Sequence, residues 1–393
     1  VEIYILDNLL RRISVFDKFE SLIWTERFQD IGDFELDLKS TLENRSQFLP
    51  GTKLAINESY RVMTVEAVED TTDDDGKQML KVAGTSLENM LADRIAKENP
   101  TDLEVEPTWD ITDTPGSIAR TMFKRICEDG SFNTADKIPF LMPQAVLGPL
   151  SHGTIPEESS EIKWSQAPDG LLTVIKNVLS PYDLGFRLYR NFDTSQLYFD
   201  VYSGDDRTTR QTTFPPVVFA TNLETLQNTT ELTTIQNSKN VAYVLAQGQT
   251  PQIVLDENVD PDIEGFERRV LAVTVDLADD DPDPTGTMIQ AGQQALRENR
   301  GQALFDGEVN QYSQFKYGID YQLGDIVEMR NVDGIISYKR VTEQIFVSDN
   351  QGERSYPTLA EDFFAGVDTW IAWNTKTTVW EDFDSEMTAW ADM

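Results

Sequence analysis

Leu49-Pro50-Gly51-Thr52-Lys53-Leu54-Ala55-Ile56 and Leu323-Gly324-Asp325-Ile326-Val327-Glu328-Met329 carry one pattern at two distant places in the chain. Gly51 falls against Gly324, Leu54 against Val327 and Ile56 against Met329. After a loop, Arg61-Val62 falls against Arg340-Val341, Val68 against Val347 and Asp70 against Asp349, and polar glycine turns follow at Gly76 and Gly352. Each copy reads as glycine turn, alternating strand, loop, long strand, turn. Self-similarity of this kind predicts a duplicated β unit. The competing explanation is that any two antiparallel β units share this grammar. Duplication has a physical use, because three chains with two similar units each can close a ring of six on threefold symmetry, and such a ring can mate with a true hexamer.

Outward from the first copy, β-branched and aromatic residues come in short runs at Val1–Leu6, Leu22–Phe28, Phe34–Leu38, Leu54–Ile56 and Val62–Val68, which predicts strands. Asp73-Asp74-Asp75-Gly76 between two such runs predicts a hairpin, since the glycine supplies positive φ. Thr85-x-x-Glu88 reads as a capping box opening a helix with Leu87, Met90, Leu91 and Ile95 on one face. Thr114-Pro115 opens a second helix with the stripe Ile118, Met122, Phe123 and Ile126, closed by Gly130. Leu171–Leu179, stopped by Pro181, is a third. Pro139 to Pro168 reads as a long loop.

Strands return at Phe186, Leu197–Tyr202, Val217–Ala220, Val241–Leu245 and Arg269–Val275, and Gly318 to Val347 is strand-like again. From Asp256 to Asp283 eleven acids stand against Arg268 and Arg269. Within that stretch, Asp279-Asp280-Asp281-Pro282-Asp283-Pro284 predicts an exposed loop, because its prolines lack donors and its charges repel. A last helix is expected over Met288–Arg300, ended by Gly301. The fold class is therefore α+β and β-rich.

The 393 residues hold 33 basic and 68 acidic side chains, a net charge of −35, with 39% apolar and 10% aromatic content. That composition supports a packed, multi-domain protein and argues against wholesale disorder. So acidic a surface disfavours sequence-reading of DNA and binding to anionic lipid. It suits the wall of a tube through which DNA slides without sticking, although a saline environment would select the same charge. No run approaches 18 apolar residues, and Val1–Leu10 carries acids where a secretion signal has a basic region, so neither a membrane span nor a signal is expected.

Chemistry of the catalytic or metal-binding kind has no address in this sequence. One cysteine, Cys127, cannot bridge within the chain and reads as a buried core thiol. One histidine, His152, sits in a Gly/Pro/Ser loop and is expected to be solvated. There is no HExxH, GxSxG or P-loop, so no catalytic residue, cofactor or metal is expected. Asp73–Asp75 and Asp279–Asp283 could hold calcium but lack the EF-hand spacing, and a solvated acidic turn accounts for both.

Several strings in fixed order carry a family likeness. They are Trp24-x-x-Arg27-Phe28-x-Asp30-Ile31-Gly32-x-Phe34-Glu35-Leu36, Val82-x-Gly84-x-Ser86-Leu87-Glu88 and Asp183-Leu184-Gly185-Phe186-Arg187, followed by Leu197-Tyr198-Phe199-x-Val201-Tyr202-x-Gly204-x-Asp206-Arg207, Lys239-Asn240-Val241-Ala242-Tyr243-Val244 and Tyr317-Gly318-x-Asp320-Tyr321-x-Leu323-Gly324-Asp325. Over about residues 1–360 the chain resembles the Gp37-like minor tail or baseplate hub proteins of siphoviruses. The resemblance implies a homotrimeric, non-enzymatic virion protein of the phage tail tip, made in the host cytoplasm. It also implies two related tube-type β-barrel domains per chain, with an inserted α/β region and an irregular C-terminal tail. The expected division is 1–98, with 207–245 as a candidate completion, for the first β domain. An inserted α/β domain at 99–206, a second β domain at 246–360 with its helix near 288–300, and a tail at 361–393 follow. The implied role joins the hexameric tail tube or distal tail protein and the tape-measure protein to tip fibres or spikes, and passes DNA at ejection during host entry.

Residues 361–393 depart from the family pattern and hold Trp370, Trp373, Trp380 and Trp390 among acids. Tryptophans anchor interfaces because each buries a large area at little conformational cost, so these four are the candidate partner-binding residues. A wrap or edge strand packed on the chain's own body is the alternative for this segment. For the whole protein, the alternative is a peripheral receptor- or carbohydrate-binding β protein of the tail tip.

Overall fold

The computed structural model describes residues 1–72, 76–98, 108–143, 161–236, 238–256, 259–277, 284–299, 302–310, 314–330 and 336–361. The first part holds β1 (Ile3–Leu6), β2 (Arg12–Phe16), β3 (Ser21–Arg27), β4 (Asp33–Lys39), α1 (Leu42–Gln47), β5 (Lys53–Ile56), β6 (Met63–Thr72) and β7 (Gln78–Ser86). The middle holds β8 (Trp109–Asp113), α2 (Pro115–Phe123), β9 (Ile162–Gln166), α3 (Leu171–Leu179), β10 (Gly185–Arg190), β11 (Leu197–Tyr202) and β12 (Val218–Ala220). Then follow β13 (Leu226–Thr234), β14 (Val241–Leu245), β15 (Gln252–Leu255), β16 (Val270–Thr274), α4 (Pro284–Glu298), β17 (Gln302–Val309), β18 (Ile326–Arg330), β19 (Ile336–Asp349) and β20 (Gly352–Glu361).

One sheet joins both ends of the chain in the order β12-β18-β19-β3-β4-β7-β6-β5-β1-β2, with β20 along the opposite edge of β19 from the one that β18 and β3 share. Alternation explains its first half: Leu22 and Trp24 on β3, Phe34, Leu36 and Leu38 on β4, and Leu80 and Val82 on β7 all point into one core. Ile3, Ile5 and Phe16 from the far edge join that core, and so does Phe346 of β19. The Val1 nitrogen lies against Glu353 at the start of β20. The sheet therefore curls round this core, but among the described residues no sheet closes on itself.

The duplicated pattern has a structural counterpart with a corrected register. Strands β5-β6-β7 and β18-β19-β20 are both antiparallel meanders. The Gly51 N–H donates to the Val65 carbonyl (2.7 Å) and the Val65 N–H to Thr52 (2.8 Å), just as Gly324 donates to Val341 (2.8 Å) and Val341 to Asp325 (2.9 Å). The two glycines share φ values of +93° and +90°, and each central strand carries an irregularity just beyond its valine, between Val65 and Ala67 and between Val341 and Glu343. Val65, not Val62, is thus the counterpart of Val341. The Arg61-Val62 and Arg340-Val341 dipeptides match by coincidence, because Arg61 precedes the strand and turns inward to an ion pair. Outer neighbours differ, β1 being antiparallel to β5 while β12 is parallel to β18.

Hairpin β6–β7 forms as expected and Gly76 takes φ +78°, while Asp73–Asp75 lie outside the described residues. The capping-box reading fails. β7 extends through Ser86, a 3-10 turn spans Leu87–Asp93, Thr85 donates instead to Glu66, and Glu88 is drawn into the interior. A long polar reach toward Arg61 outweighs a local cap. Strand β2 and helix α1, with Thr41 as its cap, were not expected.

In the middle region α2 and α3 pack with β8, β10 and β11 around Ile118, Met122, Val174, Ile175 and Leu188. Thr114 Oγ1 accepts the Ser117 N–H with Pro115 in the first turn, and Gly130 at φ +67° follows a π-helical turn over Lys124–Glu128. Cys127 is buried there and its thiol is pushed up to about 12 by burial. The expected Pro139–Pro168 loop is interrupted by β9, which pairs with β8 and leans Ile162 and Trp164 on this core. His152 lies outside the described residues, as do 278–283. Pro284, read as part of that acidic loop, instead opens α4, where its missing N–H costs nothing. Helix α4 covers one face of the three-stranded sheet β15-β14-β16.

Candidate functional site

Phe28, just past the end of β3, is where the first part of the large sheet meets the second meander and the middle region. Its backbone N–H donates to Thr342 of β19 (2.8 Å) and its carbonyl accepts from Phe186 of β10 (3.2 Å). Its ring lies edge-on to Tyr202, centroids 5.2 Å apart. Gly185 and Gly324 both press on that ring so closely that a Cβ at either would overlap it, and Gly204 presses on the Gly324 backbone. Arg340 ties the pieces together. It donates to the carbonyls of Ser203 (2.9 Å) and Gly324 (2.7 Å) and to Asp183 (3.3 Å), with its guanidinium 5.6 Å from the Phe28 centroid. Four of the six family-like strings, scattered between Trp24 and Asp325, therefore converge on one joint.

Beside Phe28 lies a buried ionic cluster. Arg61 pairs with Glu88 and donates to the Arg27 carbonyl (2.9 Å), while Glu88 also accepts the Leu188 N–H (2.9 Å). Glu26 on β3 accepts from Ser59 and from the Tyr317 hydroxyl (2.9 Å). Burial pushes the Glu26 carboxyl above the ordinary carboxylate range, partly opposed by Arg61. Burial also works against the charge on Arg61, but Glu88 and its other neighbours outweigh it and hold the guanidinium's pKa above its ordinary value. Burial raises Tyr317 and Tyr202 as well. Deeper in the middle region, Asp200 is shared by Arg120 (2.9 Å) and Arg187 (2.9 Å).

Asp325, in the glycine turn of the second meander, accepts the N–H groups of Asp205 (2.8 Å) and Gln322 (2.9 Å) and pairs with Arg207 at 3.4 Å. Burial nevertheless raises its carboxyl to about 6. A folded-state pKa above the unfolded value of about 3.9 means that the protonated form is favoured in the fold. Its contribution to stability is therefore greatest below about pH 4 and is lost as pH rises to about 6, by roughly 3 kcal/mol for a shift of about two units. Urea unfolding of the protein and of Asp325→Asn at pH 4, 5, 6 and 7 should show the wild-type advantage shrinking by that order. A difference independent of pH would contradict the assignment.

These groups tie the first part of the large sheet, the second meander and the middle region to one another. Among the described residues no group of three or more His, Cys, Asp or Glu is placed to hold a metal ion. Trp370, Trp373, Trp380 and Trp390 lie outside the described residues, as do Asp279–Asp283. The structure draws Phe28, Gly185, Gly204 and Gly324 together from the quoted strings. Sequence reading missed Arg61, Glu88 and Arg340 as a linked set. Glu88 stood in one of the family-like strings and Arg61 and Arg340 in the repeated dipeptide, but nothing local marked these charges as buried, since surface residues flank apolar strand residues equally.

The family model for the Siphovirus ReqiPepy6 Gp37-like protein matches residues 2–359. The fold is similar to the tail protein from Neisseria meningitidis MC58, with a TM-score of 0.59 at 13% identity over 92% of this chain and 96% of that one. It is also similar to the 43 kDa tail protein of prophage MuSo2 from Shewanella oneidensis (TM-score 0.56, 10% identity, 92% and 96% covered). A third similar structure is the prophage tail protein gp18 from Listeria monocytogenes EGD-e (0.52, 12%, 93% and 96%). No curated protein sequence matches the chain. With a family match over nearly its whole length and the fold of phage tail proteins, the chain belongs to the Siphovirus ReqiPepy6 Gp37-like family, which supports a structural role in a phage tail.

Proposed function

We propose that this protein is the hub of a long-tailed phage tail tip, a homotrimer in which two tube-type β domains per chain build a pseudo-sixfold ring beneath the hexameric tail tube. The carrying observation is the pair of meanders with matched glycines, matched hydrogen bonds and matched strand irregularities, joined in one sheet. Two similar units per chain on a threefold axis offer six near-equivalent positions to a sixfold neighbour. The buried joint at Phe28 and Arg61 would hold the two units at a constant spacing, which a ring that closes requires. Strands β4 and β6 turn Glu35, Glu66 and Glu69 away from the core, the kind of surface that repels a passing phosphate backbone. The hub would connect the tube and tape-measure protein to tip fibres or spikes and let DNA through without reading it.

A native mass measurement followed by negative-stain imaging tests the reading. A threefold ring with a central channel, alone or formed on adding the tube protein, is the expected result. A stable dimer without a channel would overturn it.

A further inference from the structure

Strand β2 ends the large sheet, and among the described residues no strand pairs with its outer side. Natural edges are protected by charge, proline or a covering segment, because an open row of backbone donors and acceptors recruits another strand. β2 has a mixed character. Ile13 is 63% and Val15 55% exposed, with Leu9 at 42% nearby. Arg11, Arg12 and Lys18 flank these apolar residues against Asp17, with Asp7 already held by Arg11 (2.7 Å). Arg12 stacks over Tyr4, 3.8 Å from the ring centroid, and donates to the neutral Asn57. An apolar, arginine-flanked edge is unusual on a chain carrying −35.

Residues 362–393 have the complementary chemistry. They hold seven acids (Asp362, Asp368, Glu381, Asp382, Asp384, Glu386 and Asp392) against Lys376, a net −6, which leaves −35 − (−6) = −29 on residues 1–361. Such a segment is repelled by most of the body and attracted where arginines gather. Its Thr377-Thr378-Val379-Trp380 run is β-branched and aromatic, the composition that adds to a sheet edge, and the acids Glu381 and Asp382 follow at once.

Reach is sufficient. The segment leaves β20 at Glu361, and the start of β20 lies near Val1, where Glu353 meets the Val1 nitrogen and Ile3 pairs with Phe16 of β2. From the root at Glu361 the path to the edge runs along the ten residues of β20, about 33 Å at 3.3 Å per residue, and then across β1 to β2, neighbouring strands lying about 5 Å apart. Eighteen residues separate Glu361 from Trp380, and extended they span about 60 Å. Tethered at that distance, the segment has an effective concentration near the millimolar range at the edge of its own chain.

We propose that the segment 362–393 docks on the β2 edge of its own chain, with Trp380 over Ile13 and Val15 and Glu381 and Asp382 facing Arg11 and Arg12. The tryptophan segment thereby seals the edge of the sheet until assembly. The proposal is independent of the hub reading, since a ring can form whether or not the edge is sealed in cis.

Hydrogen exchange of the Arg12–Phe16 amides in the full chain tests it. Trp380→Ala and the reversal Glu381→Lys/Asp382→Lys change none of the described residues and should leave exchange elsewhere in the body unchanged. Each should speed exchange at β2 by roughly tenfold or more, and 0.5 M salt should do the same to the unaltered chain. Protection should not change over a hundredfold range of protein concentration. Equal exchange in all variants would overturn the proposal, and so would protection that rises with concentration, which would assign the edge to a second copy.

Discussion

Replacing Arg61 by methionine is expected to destabilise the folded chain by about 3–5 kcal/mol, the usual cost of breaking a buried ion pair from one side. The Arg61 side chain is 4% exposed and that of Glu88 is fully buried, so neither can recover water when the other is lost. Glu26, already pushed upward by burial, would lose the guanidinium that partly offsets it. The pair as such is a weak source of net stability, because taking both charges out of water costs nearly what their attraction returns. The double variant Arg61→Met/Glu88→Gln should therefore recover much of the loss, since the glutamine carbonyl still accepts the Leu188 N–H. Urea denaturation of the two variants checks this. A loss below about 1 kcal/mol for the single variant, or no recovery in the double, would show that the cluster does not hold the joint.

Gly204→Ala is expected to cost at least about 3 kcal/mol, combining roughly 1–2 kcal/mol for a Cβ at left-handed backbone with overpacking against a neighbour. Gly204 has φ +74°, and a Cβ there would run into the Gly324 carbonyl carbon and oxygen, which are backbone and cannot rotate aside. Gly248→Ala is the control. It sits at φ +76° with nothing within 4 Å of the added carbon, so it should lose only the conformational part, about 1 kcal/mol. Thermal unfolding of both variants separates clash from strain. Equal losses would mean that the two glycine turns are not pressed together in solution.

Much of the architecture was legible in advance. Leu171–Leu179 and Leu197–Tyr202 have the expected bounds because a helix stripe and a run of aromatic and β-branched residues are local signals. The two glycine turns were legible too, since positive φ leaves few residues to choose from. Thr85–Glu88 misled because a capping box is a local pattern, and a buried arginine elsewhere in the chain competed for its glutamate. Val62 was matched to Val341 for a similar reason. Identity of a dipeptide says nothing about which valine bonds across a glycine turn.

By itself, then, the amino-acid order determined the β-rich class, the strongly acidic surface, the buried thiol and the existence of two similar strand patterns, all of which follow from composition and short-range spacing. The register of those two patterns, the convergence of four distant strings on Phe28 and the burial of Arg61 against Glu88 were decided only by tertiary structure. The physical reason is that a hydrogen bond across a sheet, a glycine pressed on a ring and a charge taken out of water each depend on a partner far along the chain, whose position no local pattern encodes.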